Sequence, residues 1–456
     1  MGLYMKNEIT AEQKYIRMTQ EPVEKLICSL AVPSIISMLI TAIYNMADTF
    51  FVSQIGTSAS GAVGIAFSLM AIIQAIGFTF GMGSGNFISR LLGQKNGQYA
   101  SKVAATGFFT ALFLGGIIAL LGIVFLDPLV YALGATPTIA PYAKDYIRYI
   151  LIGMPYMASS FVLNIILRFQ GSAFLGMLGI GAGGLLNIVL DPIFIFTLDM
   201  GTGGAALATI ISQFVSFCIL LYYSGTNGTI KIRFRNFTPE WSLVSVAMIC
   251  LNFSAGPFGD AAIAAMSIVG RVFQFAISAM IGFGQGFQPV CGFNYGAKRL
   301  DRVMDAFWFS VRTSAVALTV ISIIIFIFSP QIMAIFRKND PEVIAIGTRA
   351  LRIQCLTFPF SAWVVITNMF LQNIGKGMQA SILAVSRQGI FFVPAILILP
   401  HVLGILGIQI SQAVSDALTF SIAVPMGMNT IKSLKALHQT QQGSSNINEN
   451  LEVKTI

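Results

Sequence analysis

The chain has 456 residues, of which 55% are hydrophobic and only 10% charged, with a net charge of +9. A soluble protein of this size carries about one quarter charged residues, so the composition excludes an ordinary soluble domain. A mean hydropathy of +0.79, with apolar runs of ~20 residues, describes a polytopic helical membrane protein.

In chain order, residues 1–24 carry Lys6, Glu8, Glu12, Lys14, Arg17, Glu21 and Glu24. This mixed-charge stretch is not a cleavable leader, and it reads as a cytoplasmic segment before the first span. Apolar segments follow at about 26–52, 59–84, 103–126, 145–168, 172–196 and 203–223. A second set lies at about 242–253, 261–288, 306–330, 346–372, 379–400 and 403–427. The fold class expected is all-α, with two pseudo-symmetric six-helix lobes at 25–223 and 242–429 joined by a linker at 224–241. Residues 430–456, polar and poor in aromatics, read as a disordered cytoplasmic tail. Eleven of the twelve segments are long enough to cross a membrane. The seventh, 242–253, reaches only ~18 Å at 1.5 Å per residue, against a hydrocarbon core of ~30 Å.

With the amino terminus inside, most of the 27 Lys and Arg fall in cytoplasmic loops, which places both termini in the cytoplasm. That bias also accounts for the net positive charge without nucleic acid, since no basic, aromatic-interleaved soluble segment is present. Five cysteines without a CxxC pair and only two histidines, His401 and His438, argue against a structural zinc site.

The chain repeats itself. At an offset of 203 residues Gly56, Gly81, Gly83, Gly93 and Lys95 fall on Gly259, Gly284, Gly286, Gly296 and Lys298. At 204, Arg148, Pro155, Asn164 and Gly171 fall on Arg352, Pro359, Asn368 and Gly375. Six segments per half give both halves the same orientation, a parallel repeat known among transporters.

Two acids stand inside spans of the first half. Asp48 lies 22 residues beyond Leu26 and Asp191 lies 19 beyond Ser172, both on outward-running helices, at ~33 and ~29 Å from the inner end. Intramembrane carboxylates are costly and usually functional. Asn187 shares a helix face with Asp191, and Thr209 on the sixth span reaches the same outer half. These hard oxygen donors suit Na⁺ or a proton. Two carboxylates held close together cannot cheaply both stay charged, so a small cation or a cationic substrate neutralises them in turn. The competing reading places Asp48 near the outer water boundary and makes Asp191-Pro192 a helix end. Pro33 permits a bend in the first span or a static kink. Tyr44, Phe78, Met82, Phe283, Gln285 and Phe287 either line a central cleft or simply pack. Arg271 and Arg387 either bind anionic groups or pair structurally. No catalytic set and no phosphate-binding loop appears, so the chain is not expected to be an enzyme.

At these residues the chain resembles the multidrug and toxic-compound extrusion (MATE) family over about residues 20–430. The carrying stretches are Pro33 with YNMADTFFVSQIG (44–56), ISRLLGQKNG (88–97), LRFQGSAF (167–174), GGLLNIVLDPIFIF (183–196), GFGQGFQPVCGFNYGAK (282–298) and LQNIGKG (371–377). The resemblance implies a bacterial inner-membrane exporter of small organic cations, working in exchange for H⁺ or Na⁺ without another cofactor and expected to act as a monomer in the lipid bilayer. It maps the cation site onto Asp48, Asn187, Asp191 and Thr209, with Asn164 a weaker match, and helix bending onto Pro33. The short seventh segment departs from the family. Asp416, inside the last span, matches no motif of it. Alternatives are a flippase for lipid-linked precursors and an inactive degenerate copy.

Overall fold

The computed structural model describes residues 11–226, 230–237, 260–336 and 341–453. All of the elements among them are helical, and they fall into two compact units. The first holds α1 (Ala11–Gln20), α2 (Val23–Ser53), α3 (Thr57–Gly93), α4 (Gly97–Val124), α5 (Leu126–Ala132), α6 (Ala140–Phe169), α7 (Ala173–Pro192) and α8 (Gly201–Thr226). A π-helical turn, Ile193–Thr197, continues α7. The second holds α9 (Asp260–Gly296), α10 (Leu300–Phe336), α11 (Pro341–Thr357), α12 (Phe360–Asn373), α13 (Gly377–Val385), α14 (Phe392–Leu403) and α15 (Ile405–Val453), with a π-helical turn at Ser386–Ile390. Among the described residues eight helices are long and apolar enough to cross a membrane, nine if the bent pair α11 and α12 counts as one span. The short seventh segment at 242–253 and the side chain of Arg271 lie outside what is described.

The first unit is built around α6, which is 78% buried over its apolar window. Glycines set how closely its neighbours approach. A Cβ placed on Gly77, Gly81 or Gly85 of α3 would come within 2.5, 2.5 and 2.3 Å of Phe161, Ile165 and Phe169 of α6. The i, i+4 spacing puts all three on one face, so α3 lies against α6 with almost no side chain between them. Gly83 faces open space, so it takes no part in this contact. Large apolar residues such as Phe67, Leu120, Val124 and Leu185 remain exposed, as expected for surfaces facing hydrocarbon. In α2, Pro33 is buried and removes one backbone donor. The hydroxyls of Ser34, Ser37 and Thr41 bond back to carbonyls four residues earlier, which satisfies them inside an apolar span and favours local bending.

In the second unit a core of Phe273, Met280, Leu318, Met333, Leu351 and Phe358 joins α9, α10 and α11. The α11–α12 span is bent by 54°, at the Phe358-Pro359 step. The residue before a proline is pushed out of the helical region. Its counterpart in the repeat, Pro155, sits inside the unbroken α6, so the repeat does not carry the bend. Residues 430–453, expected to be disordered, instead continue α15 to Val453. Thr430, Ile431 and Leu434 are buried, Lys376 donates to Thr430 at 3.2 Å, and a helix already nucleated propagates at little cost through the Lys-, Leu- and Gln-rich stretch as far as Gln442.

Candidate cation site

The site begins with the stripe Gly179, Gly183, Asn187 and Asp191 along one face of α7. Gly179 is placed against Leu220, and Gly183 against Ser216 and the Ser212 carbonyl of α8. With no side chain in the way, α7 and α8 approach closely, and the next two members of the stripe come level with Thr209. Leu185 and Val189, on the other face of α7, are exposed. Gly184 does the same toward α2, where a Cβ would meet Ile40 and Tyr44. The small residues thus bring three helices together, and the acids follow from that packing.

Asn187 Nδ2 donates to Asp191 Oδ1 at 3.0 Å and to Thr209 Oγ1 at 3.3 Å. The Tyr146 hydroxyl, on α6, donates to Asp48 Oδ2 at 3.1 Å and also engages Thr209. Asp48 and Asp191 are near enough for the charge of one to act on the other. All five side chains are buried: Asp48 is 8% exposed, Asp191 0%, Asn187 2%, Thr209 4% and Tyr146 3%. Asp48 is therefore shielded from bulk water, and Asp191 is tied into a side-chain network.

Each acid leaves one oxygen unsatisfied. Asp48 Oδ1, Asp191 Oδ2 and Asn187 Oδ1 are buried with no hydrogen-bond partner. Among the described residues neither acid has an ion-pair partner, the ion pairs lying elsewhere. Burying two carboxylates with free lone pairs and no cation is expensive. The donor set, two carboxylates with amide and hydroxyl oxygens, fits a proton or a small hard cation.

The expected residues divide accordingly. Asp48, Asn187, Asp191 and Thr209 come together. Asn164 does not join them, because it sits 18 residues beyond Tyr146 on α6, ~27 Å along the helix. There it packs against Gly176, whose Cβ would lie 2.7 Å from its amide nitrogen. Tyr146 takes the α6 place in the site. Its signal in the sequence is position along its helix: it lies six residues from the start of α6 and Thr209 eight from the start of α8, so the two are level.

Tyr44 is buried, accepts from Gln213 Nε2 at 3.3 Å, and with Thr41, Ser160, Phe161, Ile180, Gln213 and Ser216 lines a small pocket. Tyr44 stands one helical turn before Asp48 on α2. Phe78 packs on Phe161 with ring centroids 5.8 Å apart, and Met82 Sδ lies 4.0 Å from Arg168 Nη2. In the second unit Gln285 and Phe287 are fully buried, whereas Phe283 is half-buried.

The MatE family model matches residues 33–193 and 240–397. The chain is 26% identical over 419 residues to the multidrug export protein MepA of Staphylococcus haemolyticus, covering 88% of this chain and 92% of that one. It is equally 26% identical over 418 residues to MepA of Staphylococcus aureus strain MSSA476, with the same coverage. Among solved structures it resembles a MATE protein in complex with MaL6, with a TM-score of 0.85 and 26% identity over 93% of this chain and 99% of that one. A MOP superfamily transporter from Pyrococcus furiosus superposes with a TM-score of 0.84 at 26% identity over the same shares. The family match spans more than half of the chain, and with the all-helical fold and these relatives it shows that the chain belongs to the MATE family of multidrug efflux transporters.

Proposed function

We propose that this chain is a secondary active exporter that expels small organic cations in exchange for H⁺ or Na⁺, by alternating access. The observation that carries the reading is the pair Asp48 and Asp191, buried on separate helices, each with an orphaned oxygen and neither with a cationic partner among the described residues. Such a pair needs positive charge from solution, and it takes that charge in the outer half of the bilayer. Occupation by the coupling cation then disfavours a cationic substrate close by, and loss of the cation favours it. Bending of α2 about Pro33, beside hydroxyls that already bond back along the helix, links occupancy to substrate binding.

The topology we assign is eleven full spans plus the short segment, both termini cytoplasmic, in a bacterial cell membrane. A lipid-precursor flippase would need free cationic groups within the helices. Arg387 is committed to Asp416 at 2.9 Å, which counts against it. Ethidium efflux from cells lacking their own pumps tests the proposal. Cells making the wild-type chain should clear ethidium, and cells making D48N should retain it while the variant still reaches the membrane. Clearance by D48N at the wild-type rate would overturn the reading, and failure of the wild type to clear the dye would favour an inactive copy.

A further inference from the structure

One acid inside the helices of the second unit has no part in the proposed exchange. Asp416 lies eleven residues into α15, about 17 Å from its first residue, and is 2% exposed. Arg387 Nε donates to its Oδ1 at 2.9 Å, and Gln412 Nε2 donates to the same oxygen at 3.0 Å. Arg387 belongs to the π-helical turn Ser386–Ile390. A π-turn carries one extra residue and shifts side chains off the α-helical register. Here it delivers a guanidinium to the neighbouring helix, and the Ser415 hydroxyl fixes the turn by donating to the Arg387 carbonyl.

The comparison with the first unit is direct. There Asn187 precedes Asp191 by four residues and donates to its Oδ1 at 3.0 Å. Gln412 stands in the same relation to Asp416, at the same distance. The difference is the neighbour: Asp191 faces a second acid, whereas Asp416 faces an arginine. The acids are not copies of each other. At the repeat offset of 203 Thr209 falls on Gln412, but Asp191 falls on Pro394 and Asn187 on Ile390. A carboxylate at this depth requires a positive partner. The first pair must take it from solution, whereas Asp416 has one attached to its own chain.

We infer that Arg387 is a built-in counter-ion that prevents Asp416 from taking up a proton or Na⁺, so that the second unit adds no cation to the exchange. This rests on Asp48 and Asp191 being the exchanging pair. Arg387 is then a positioning residue, and it confines coupling to the first unit.

Dicyclohexylcarbodiimide, an apolar reagent that modifies protonated carboxyls in membranes, tests this on the full chain in lipid vesicles, read by mass spectrometry of peptides. Asp416 should stay unmodified in wild type and in R387K, and become modified in R387Q. The neutral double variant R387Q/D416N should export ethidium within about twofold of wild type. Its ratio of cations exchanged per ethidium, taken from the potential at which net flux reverses, should be unchanged. Asp416 modified equally in wild type and R387Q, or in neither, would overturn the inference, as would a changed ratio or lost export in a well-folded double variant. Should R387Q fail to accumulate, the double variant's ratio carries the test. D48N run in parallel separates the two claims: a wild-type ratio in D48N sinks the exchange site itself, while effects confined to Arg387 and Asp416 bear only on the counter-ion.

Discussion

Tyr146→Phe removes a single hydroxyl from the site and leaves its packing intact. That hydroxyl donates to one oxygen of Asp48, whose other oxygen has no donor. A hydrogen bond to a charged group contributes about 1.5–3 kcal/mol. The 3.1 Å separation is longer than the 2.5–2.7 Å of a strong O–H···O⁻ bond, so the lower figure applies, about 1.5 kcal/mol. The bond matters most when the coupling cation is absent, because the carboxylate then has no other partner. Losing it destabilises the empty site more than the occupied one and tightens cation binding by roughly tenfold, since 1.4 kcal/mol is a factor of ten. In proteoliposomes the external cation concentration that half-saturates ethidium exchange should fall by about that factor. The maximal rate should also fall, because the cation leaves too slowly. A half-saturating concentration that is unchanged or higher in Y146F would refute the reasoning.

Asp48→Asn keeps an oxygen to accept from Tyr146 but removes the charge. At an effective dielectric of 20 and ~4 Å a unit charge pair is worth about 4 kcal/mol, so cation binding measured by titration of the purified protein should weaken by about a thousandfold. Gly77→Ala places a Cβ 2.5 Å from Phe161 Cβ and 3.2 Å from the Ala158 carbonyl. It should cost about 1–3 kcal/mol, seen as a lower melting temperature, whereas Gly83→Ala, facing open space, should be neutral or stabilising. Outside the membrane, burial beside Arg17 pushes the Lys14 amine down to about 8. Because its value in the docked α1 lies below its free value, docking is penalised below pH 8, and the penalty disappears as pH rises toward the free value. Hydrogen exchange of Ala11–Gln20, corrected for intrinsic rates, should therefore show protection rising across that window, and K14M should flatten it.

The sequence made the acids legible because a carboxylate in an apolar run is conspicuous wherever it packs. Asn187 followed from helical spacing to Asp191, and Thr209 from its depth. Tyr146 is not legible because a tyrosine in an apolar helix looks like packing. The resemblance misleads at Asn164 because a residue match says nothing of depth, and ~27 Å of helix separates it from the site. Pro155 and Pro359 show the limit of a repeat: the same residue is absorbed in one helix and breaks the other, since flanking packing decides whether the freed carbonyl is tolerated. The two π-helical turns leave no mark in apolar periodicity. For that reason the pairing of Arg387 with Asp416 is visible only in the fold, although each residue stands out alone in the sequence.

The most direct measurement of the central claim is ethidium transport by the purified chain in sealed vesicles, with an inward Na⁺ or proton gradient imposed across the membrane. The account predicts that one of the two gradients drives ethidium uphill in the opposite direction, that an ionophore collapsing that gradient stops it, and that D48N and D191N each abolish it. Uphill ethidium movement with neither gradient present, or undiminished in the variant lacking both carboxylates, would contradict it.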